Sequence, residues 1–103
     1  MIIYSVTIVV EESIEQEWLD WMRTVHIPEV MNTGKFVSCR FSKLLSHKEE
    51  GAQNYSAQYT CHSFAELEAY QQHFAKELQG KSLEKFADKM LAFRTELEVI
   101  EEF

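Results

Sequence analysis

Two capping signals constrain this chain more than any other feature: Ser13 followed by Gln16, and Ser63 followed by Glu66. In such a pair the serine oxygen accepts from a backbone N–H of the first turn while the Gln or Glu reaches back, so each marks a helix start. Each also stands directly behind a run that reads as strand. Ile2 to Val10 is rich in β-branched residues and ends at Glu11-Glu12, whose charges suit the positive end of a following helix. Asn54 to His62 alternates apolar and polar residues up to the second signal. Behind each signal the period lengthens. Ile14, Trp18, Trp21, Met22 and Val25, and later Phe64, Leu67, Tyr70, Phe74 and Leu78, recur at three- and four-residue spacing as apolar helical stripes.

The remaining segments fit around these. Proline disfavours helical dihedrals in the residue before it, so Pro28 predicts that the first helix ends near His26 and Ile27, with a short turn from Pro28 to Gly34. Phe36 to Leu45 and Asn54 to His62 form a hairpin across a polar segment that contains Gly51. The expected register sets Leu45 opposite Tyr55, Lys43 by Ala57, Phe41 by Tyr59 and Cys39 by Cys61. One face then carries Val37, Cys39, Phe41, Tyr59 and Cys61, and the other Ser38, Arg40, Ser42, Ser56, Gln58 and Thr60. Gly80 is expected to interrupt the second helix, and Ser82 to start a short turn through Leu83 and Phe86. Leu91, Phe93, Leu97 and Val99 alternate with Ala92, Arg94, Glu96 and Glu98 as a last strand.

The order is therefore βαββαβ over one domain, residues 1–103. That is an α+β, ferredoxin-like arrangement: a four-stranded antiparallel sheet with both helices on one face. At 46% hydrophobic and 13% aromatic residues, the chain can fill such a core without disulfide or metal staples. A single helical layer leaves the other sheet face bare. That face is expected to mix Ile3, Val9, Ala92 and Ile100 with Ser5, Thr7, Arg40, Gln58 and Arg94, and a two-fold homodimer through it is the economical cover.

Charge removes several classes of partner. Seventeen acidic against ten basic residues give a net charge of −7, which repels nucleic-acid phosphates and anionic lipid alike. The Ile2 to Val10 run is too short to span a membrane and lacks a basic leader, so a cytoplasmic location is expected. Cys39 and Cys61 have no zinc-site spacing and read as reduced, buried thiols, inert through their raised pKa. No phosphate loop, serine elbow, paired-carboxylate signature or cofactor fingerprint is present, and His26 with Glu29 lacks a third ligand for a metal.

Trp18-Leu19-Asp20-Trp21-Met22, His26-Ile27-Pro28, Thr33-Gly34-Lys35-Phe36, Tyr55 with Gln58-Tyr59, and Ala92-Phe93-Arg94 together resemble a bacterial domain-of-unknown-function family among the dimeric α+β barrels of ferredoxin-like fold. The resemblance spans nearly the whole chain and implies a dimeric α+β barrel. It does not imply one activity: the wider superfamily holds cofactor-independent monooxygenases, muconolactone-type isomerases, haem-degrading enzymes, dye-decolorising peroxidase relatives and plain ligand-binding modules.

His26 is the candidate catalytic residue, because a histidine before a rigid Ile-Pro step is positioned and titrates near neutral pH, and several relatives of this fold carry a functional histidine near this place. The plainer reading makes it a helix C-terminal histidine that caps carbonyls. Arg40, Gln58 and Arg94 are the candidate ligand-binding residues of the bare face, where guanidinium groups could hold a carboxylate; the plainer reading pairs Arg94 with Glu96. Trp21, Tyr59 and Tyr4 fall on the core side, where they line a pocket or simply pack. His47, His62 and His73 read as solvated or strand-end residues.

Three functions follow. The first is a dimer that binds a small aromatic or anionic molecule with no assigned reaction. The second is a cofactor-independent monooxygenase or isomerase in which His26 moves a proton, and it requires a cavity of roughly 300 Å³ or more at the His26 ring. The third is a structural or protein-binding dimer without catalysis.

Overall fold

The first strand, β1 (Ile2–Glu11), occupies an inner position of the sheet, and the computed structural model describes the chain over residues 1–46 and 49–103. β1 is followed by a helical segment, α1, over residues 12–31, then by β2 (Ser38–Lys43) and β3 (Ala52–Cys61). A second helical segment, α2, covers residues 64–86, and β4 (Met90–Glu98) completes the βαββαβ order. The strands lie in the order β2-β3-β1-β4, and every neighbouring pair is antiparallel. Both helical segments pack on one face of this sheet through two aromatic-rich clusters. One joins Tyr4, Phe36, Tyr59 and Tyr70; the other joins Trp18, Tyr55 and Phe86. Trp18 and Leu67 are completely enclosed, and truncating the larger of them to alanine costs about 3–5 kcal/mol.

Both helical segments depart from the sequence expectation in the same way. The α1 segment starts as a 3-10 turn (Glu12–Ile14), runs as α-helix (Glu15–Trp21), widens into a π turn (Met22–His26) and resumes as α-helix (Ile27–Met31). It does not end at His26 and Ile27. In the widened turn the Ile27 N–H reaches back five residues to the Met22 carbonyl, ahead of Pro28, whose missing N–H and crowding ring would disrupt a plain α-helix. Ser13 does not cap the segment; its hydroxyl lies 3.4 Å from the Glu11 carboxylate instead. The Ser63 oxygen does cap α2, accepting from Glu66 N–H at 3.3 Å. The α2 segment also carries a π turn, Gln71–Ala75, and then continues as α-helix through Gly80 to Phe86. Gly80 therefore interrupts nothing. After Phe86 the backbone at Ala87 takes a positive φ of 47°, a region that disfavours a Cβ-bearing residue, and turns the chain into β4.

The hairpin forms with a register two residues from the expected one. Lys43 lies opposite Tyr55, Phe41 opposite Ala57 and Cys39 opposite Tyr59. A slip of two keeps every side chain on its expected face, but it takes Cys39 away from Cys61. Val37 lies outside the strand and is exposed rather than part of the apolar face, and Leu45 is exposed as well.

The larger correction concerns β4. Ile8 pairs with Ala92, Val6 with Arg94 and Tyr4 with Glu96, so these three β4 residues share the helix-facing side of the sheet with Tyr4, Val6 and Ile8. Leu91, Phe93 and Leu97 point to the bare face, where they are 63%, 59% and 45% exposed. The polar residues of an edge strand can sit under the helices because α2 does not cover the strand fully, and the apolar ones are left outward.

Candidate functional site

The parity of β4 divides the candidate residues between the two faces of the sheet. Arg40 and Gln58 are cross-strand neighbours on the bare face, and both are exposed. Arg94, Tyr59, Trp21 and His26 are on the helix side. The expected pairing of two arginines in one cleft does not occur, because a sheet separates them.

On the helix side the two π turns aim the polar groups. The first brings Met22 and His26 to the wall of a small chamber between helices and sheet, together with Tyr4, Tyr59, Tyr70, Gln79, Ser82 and Arg94. The chamber holds about 30 Å³, room for one water molecule. The second π turn places Gln71 and Ala75 on an open groove of about 690 Å³ between α2 and β4, lined also by Lys76, Gln79, Gly80, Leu83, Arg94 and Glu96, with Tyr4 at its base. Tyr4, Gln79 and Arg94 border both spaces and form the wall between them. π turns widen a helix and recur at functional sites, and here each contributes groups to adjoining parts of one site.

His26 stacks on Trp21 with ring centroids 4.9 Å apart and planes 21° from parallel; Trp21 in turn meets Phe86 edge-on at 5.3 Å. Burial pushes the His26 imidazole pKa down to about 4, Arg94 and Lys81 push the same way, and Glu29 opposes. The ring is therefore neutral at physiological pH. Because α1 continues to Met31, His26 is not the helix-end cation of the plainer reading, and it does not exchange protons near neutrality. The space at its ring also falls an order of magnitude short of the cavity that proton transfer to a bound substrate requires.

Arg94 lies beside Tyr4. Burial raises the Tyr4 phenol pKa, against which Arg94 and Gln79 act, and burial likewise raises Tyr59 and Tyr70. The Arg94 field reaches His26, Tyr4 and Tyr70, yet among the described residues no carboxylate lies within ion-pair distance of its guanidinium. Glu96, its expected partner, instead accepts from Gln71 Nε2 at 2.7 Å. The other close ion pairs, Lys81 with Glu29 at 2.7 Å, Lys43 with Glu15 at 3.7 Å and Lys35 with Glu66 at 3.8 Å, do not involve it. An arginine that faces a groove with no carboxylate in direct contact, the Glu96 of the same groove being engaged by Gln71, can take an anion.

The sequence reading missed Gln71, Gln79 and Ser82 as site residues. Their signal was present: Gln71, Ala75, Gln79 and Ser82 recur at helical spacing as a small and polar strip bordering the apolar stripe. Burial disfavours the thiolate form of both cysteines. It raises the half-buried Cys39 to about 11 and raises Cys61 as well. Among the described residues no group of three His, Cys, Asp or Glu side chains could hold a metal, and no helix is long and apolar enough to cross a membrane. His62 and His73 are exposed; His47 lies outside the described residues.

A family model described as "Domain of unknown function (DUF4286)" matches residues 1–100. No curated protein matches the chain. Among solved structures, the crystal structure of a dimeric ferredoxin-like protein from an uncultured marine organism superimposes with a TM-score of 0.70 at 11% identity, covering 99% of this chain and 98% of that one. At that identity the likeness is one of fold, and the observed strand order agrees with it.

Proposed function

Since the chain belongs to the DUF4286 family, for which no function is described, its role rests on its site, and we propose that it is a small-molecule-binding protein whose groove takes an organic anion at Arg94. One observation carries this: the Arg94 guanidinium faces an open groove with no carboxylate of the described residues within ion-pair distance, the groove's Glu96 accepting from Gln71 instead. Tyr4 and Gln79 flank the anion and give it neutral hydrogen-bonding groups. Neutral His26 closes the inner end of the site, backed by the stacked Trp21 ring, with Tyr59 in the chamber wall. Proton transfer at His26 is not part of this reading, because the ring faces a chamber of about 30 Å³.

The protein acts as a homodimer in this reading. Leu91, Phe93 and Leu97 form an outward apolar row on β4, the bare face also carries Ile3, Val9, Arg40 and Gln58, and the structural neighbour is itself described as dimeric. The test of the site uses acetate as the minimal carboxylate, followed by amide chemical shifts in labelled protein. Saturable shifts confined to α2, β4 and the Tyr4 region of β1, lost in Arg94→Gln, are expected. Shifts that persist unchanged in Arg94→Gln would remove Arg94 from the site, and a groove that never saturates would remove the site itself.

A further inference from the structure

The groove wall contributed by α2 raises a question of its own. Gly80 lies inside an α-helix, where glycine costs about 1 kcal/mol relative to alanine. A cost of that size is usually explained by a positive φ or a close neighbour. Gly80 has neither: its φ is not among the positive ones, and a Cβ built on it meets nothing within 4 Å. The chain's own packing thus gives no reason for a bare backbone at this position.

The position itself supplies one. Gly80 lines the groove, flanked there by Ala75 and Leu83, and Leu83 is 61% exposed although it is a large apolar residue. The patch of the α2 wall made by Ala75, Gly80 and Leu83 is therefore apolar and low in relief, Gln71, Lys76 and Gln79 adding polar groups to the same wall, while the wall across from it offers Arg94 and Glu96. A ligand matching that patch and Arg94 has one anionic edge and one flat apolar face. We infer that Gly80 is the specificity-determining position of the groove, keeping the α2 wall bare so that a carboxylate bearing a planar ring lies against it while its charge meets Arg94. This inference rests on the anion-binding reading above and narrows it to ring-bearing carboxylates.

The experiment compares benzoate with acetate on the intact protein by calorimetry or amide shifts, in the original chain, Gly80→Leu and Arg94→Gln. Leucine is a good helix former, and it fills the space a ring would need. Thermal unfolding of Gly80→Leu is measured alongside, and Gly80→Ala, which adds only a methyl, serves as the mild variant. The expected result is that benzoate binds about tenfold more tightly than acetate, that Gly80→Leu erases this advantage with acetate within about twofold, and that Arg94→Gln weakens both. Gly80→Ala is expected to fall between, while raising the melting temperature.

Equal affinity for benzoate and acetate, both dependent on Arg94, overturns the role of Gly80 and leaves the anion site standing. Benzoate bound as tightly by Gly80→Leu as by the original chain does the same. Binding of neither probe, or binding indifferent to Arg94→Gln, overturns the anion site and this inference with it.

Discussion

Lowering the pH from 7 toward 4 loads a specific cost onto the folded state through His26. In the unfolded chain its imidazole has the ordinary pKa of about 6.5, whereas in the fold burial holds it near 4. Between these values the unfolded chain binds a proton that the native protein refuses. The contribution to stability is therefore complete above pH 6.5, falls as the pH drops through this window, and is constant again below about pH 4. At about 1.4 kcal/mol for each tenfold change in proton concentration, the whole window is worth about 3 kcal/mol, of which about 2 kcal/mol is lost by pH 5. Domains of this size are stable by roughly 5–15 kcal/mol, so the effect is large enough to measure. Glu29 works in the opposite direction, but its carboxylate is engaged by Lys81 at 2.7 Å. The assay is urea unfolding at about pH 7, 6 and 5 for the original chain and for His26→Gln, which is polar but does not titrate here. Carboxylates contribute equally to both proteins and cancel in the difference. The original chain should lose about 2 kcal/mol more than His26→Gln over this range. Parallel loss in the two proteins would refute the buried, neutral histidine.

Three further outcomes test the fold around the site. Phe93→Glu places a charge in the outward apolar row of β4 and should convert a dimer to monomer in sedimentation, whereas Arg94→Glu, one residue away but on the helix side, should leave the dimer intact; the reverse pattern would overturn the strand parity. Ala87→Gly relieves a positive φ of 47° and should stabilise by about 1 kcal/mol in chemical unfolding, net of the added freedom of the unfolded chain; an unchanged or lower midpoint would show that the backbone there is unstrained. Ser63→Ala removes the acceptor for the Glu66 N–H and should cost about 1 kcal/mol in the same assay, while Ser13→Ala, which caps nothing, should cost little; equal losses would mean that Ser13 is a cap after all.

The order of elements and the helix-bearing face of β1 were legible because they follow from period alone. Ile2, Tyr4, Ile8 and Val10 alternate inward, and the stripe through Trp18 and Leu67 meets them. The hairpin register was not legible, since a shift of two residues leaves every face unchanged and hydrophobic pattern cannot see it. The side assignment of β4 failed for the opposite reason. Alternation alone does not fix the face of the last strand without its register to β1, and only the pairing of Val6 with Arg94 and Tyr4 with Glu96 puts the polar residues beneath the helices. An edge strand with an apolar outward face also inverts the usual rule that apolar residues point to the core. The π turns were invisible as well, because a five-residue turn shifts the stripe by one position, as does any irregularity of sequence. Those two features, strand parity and widened turns, account for why Gln79, Ser82 and the helix-side Arg94, which share a chamber with His26, were not assembled around it from the sequence.

The stack of Trp21 on His26 gives the molecule a light-emitting gauge of its own interior. An excited indole passes an electron readily to an imidazolium in face contact, and far less readily to a neutral imidazole. With ring centroids 4.9 Å apart and the imidazole held neutral, Trp21 should escape quenching by His26 at physiological pH and dim when that ring takes up a proton. Trp18, sealed from solvent among Phe41 and Tyr55, emits from a dry environment at shorter wavelength and supplies a steady reference. Protonation of His26 should therefore change the ratio of two colours, without a label being attached.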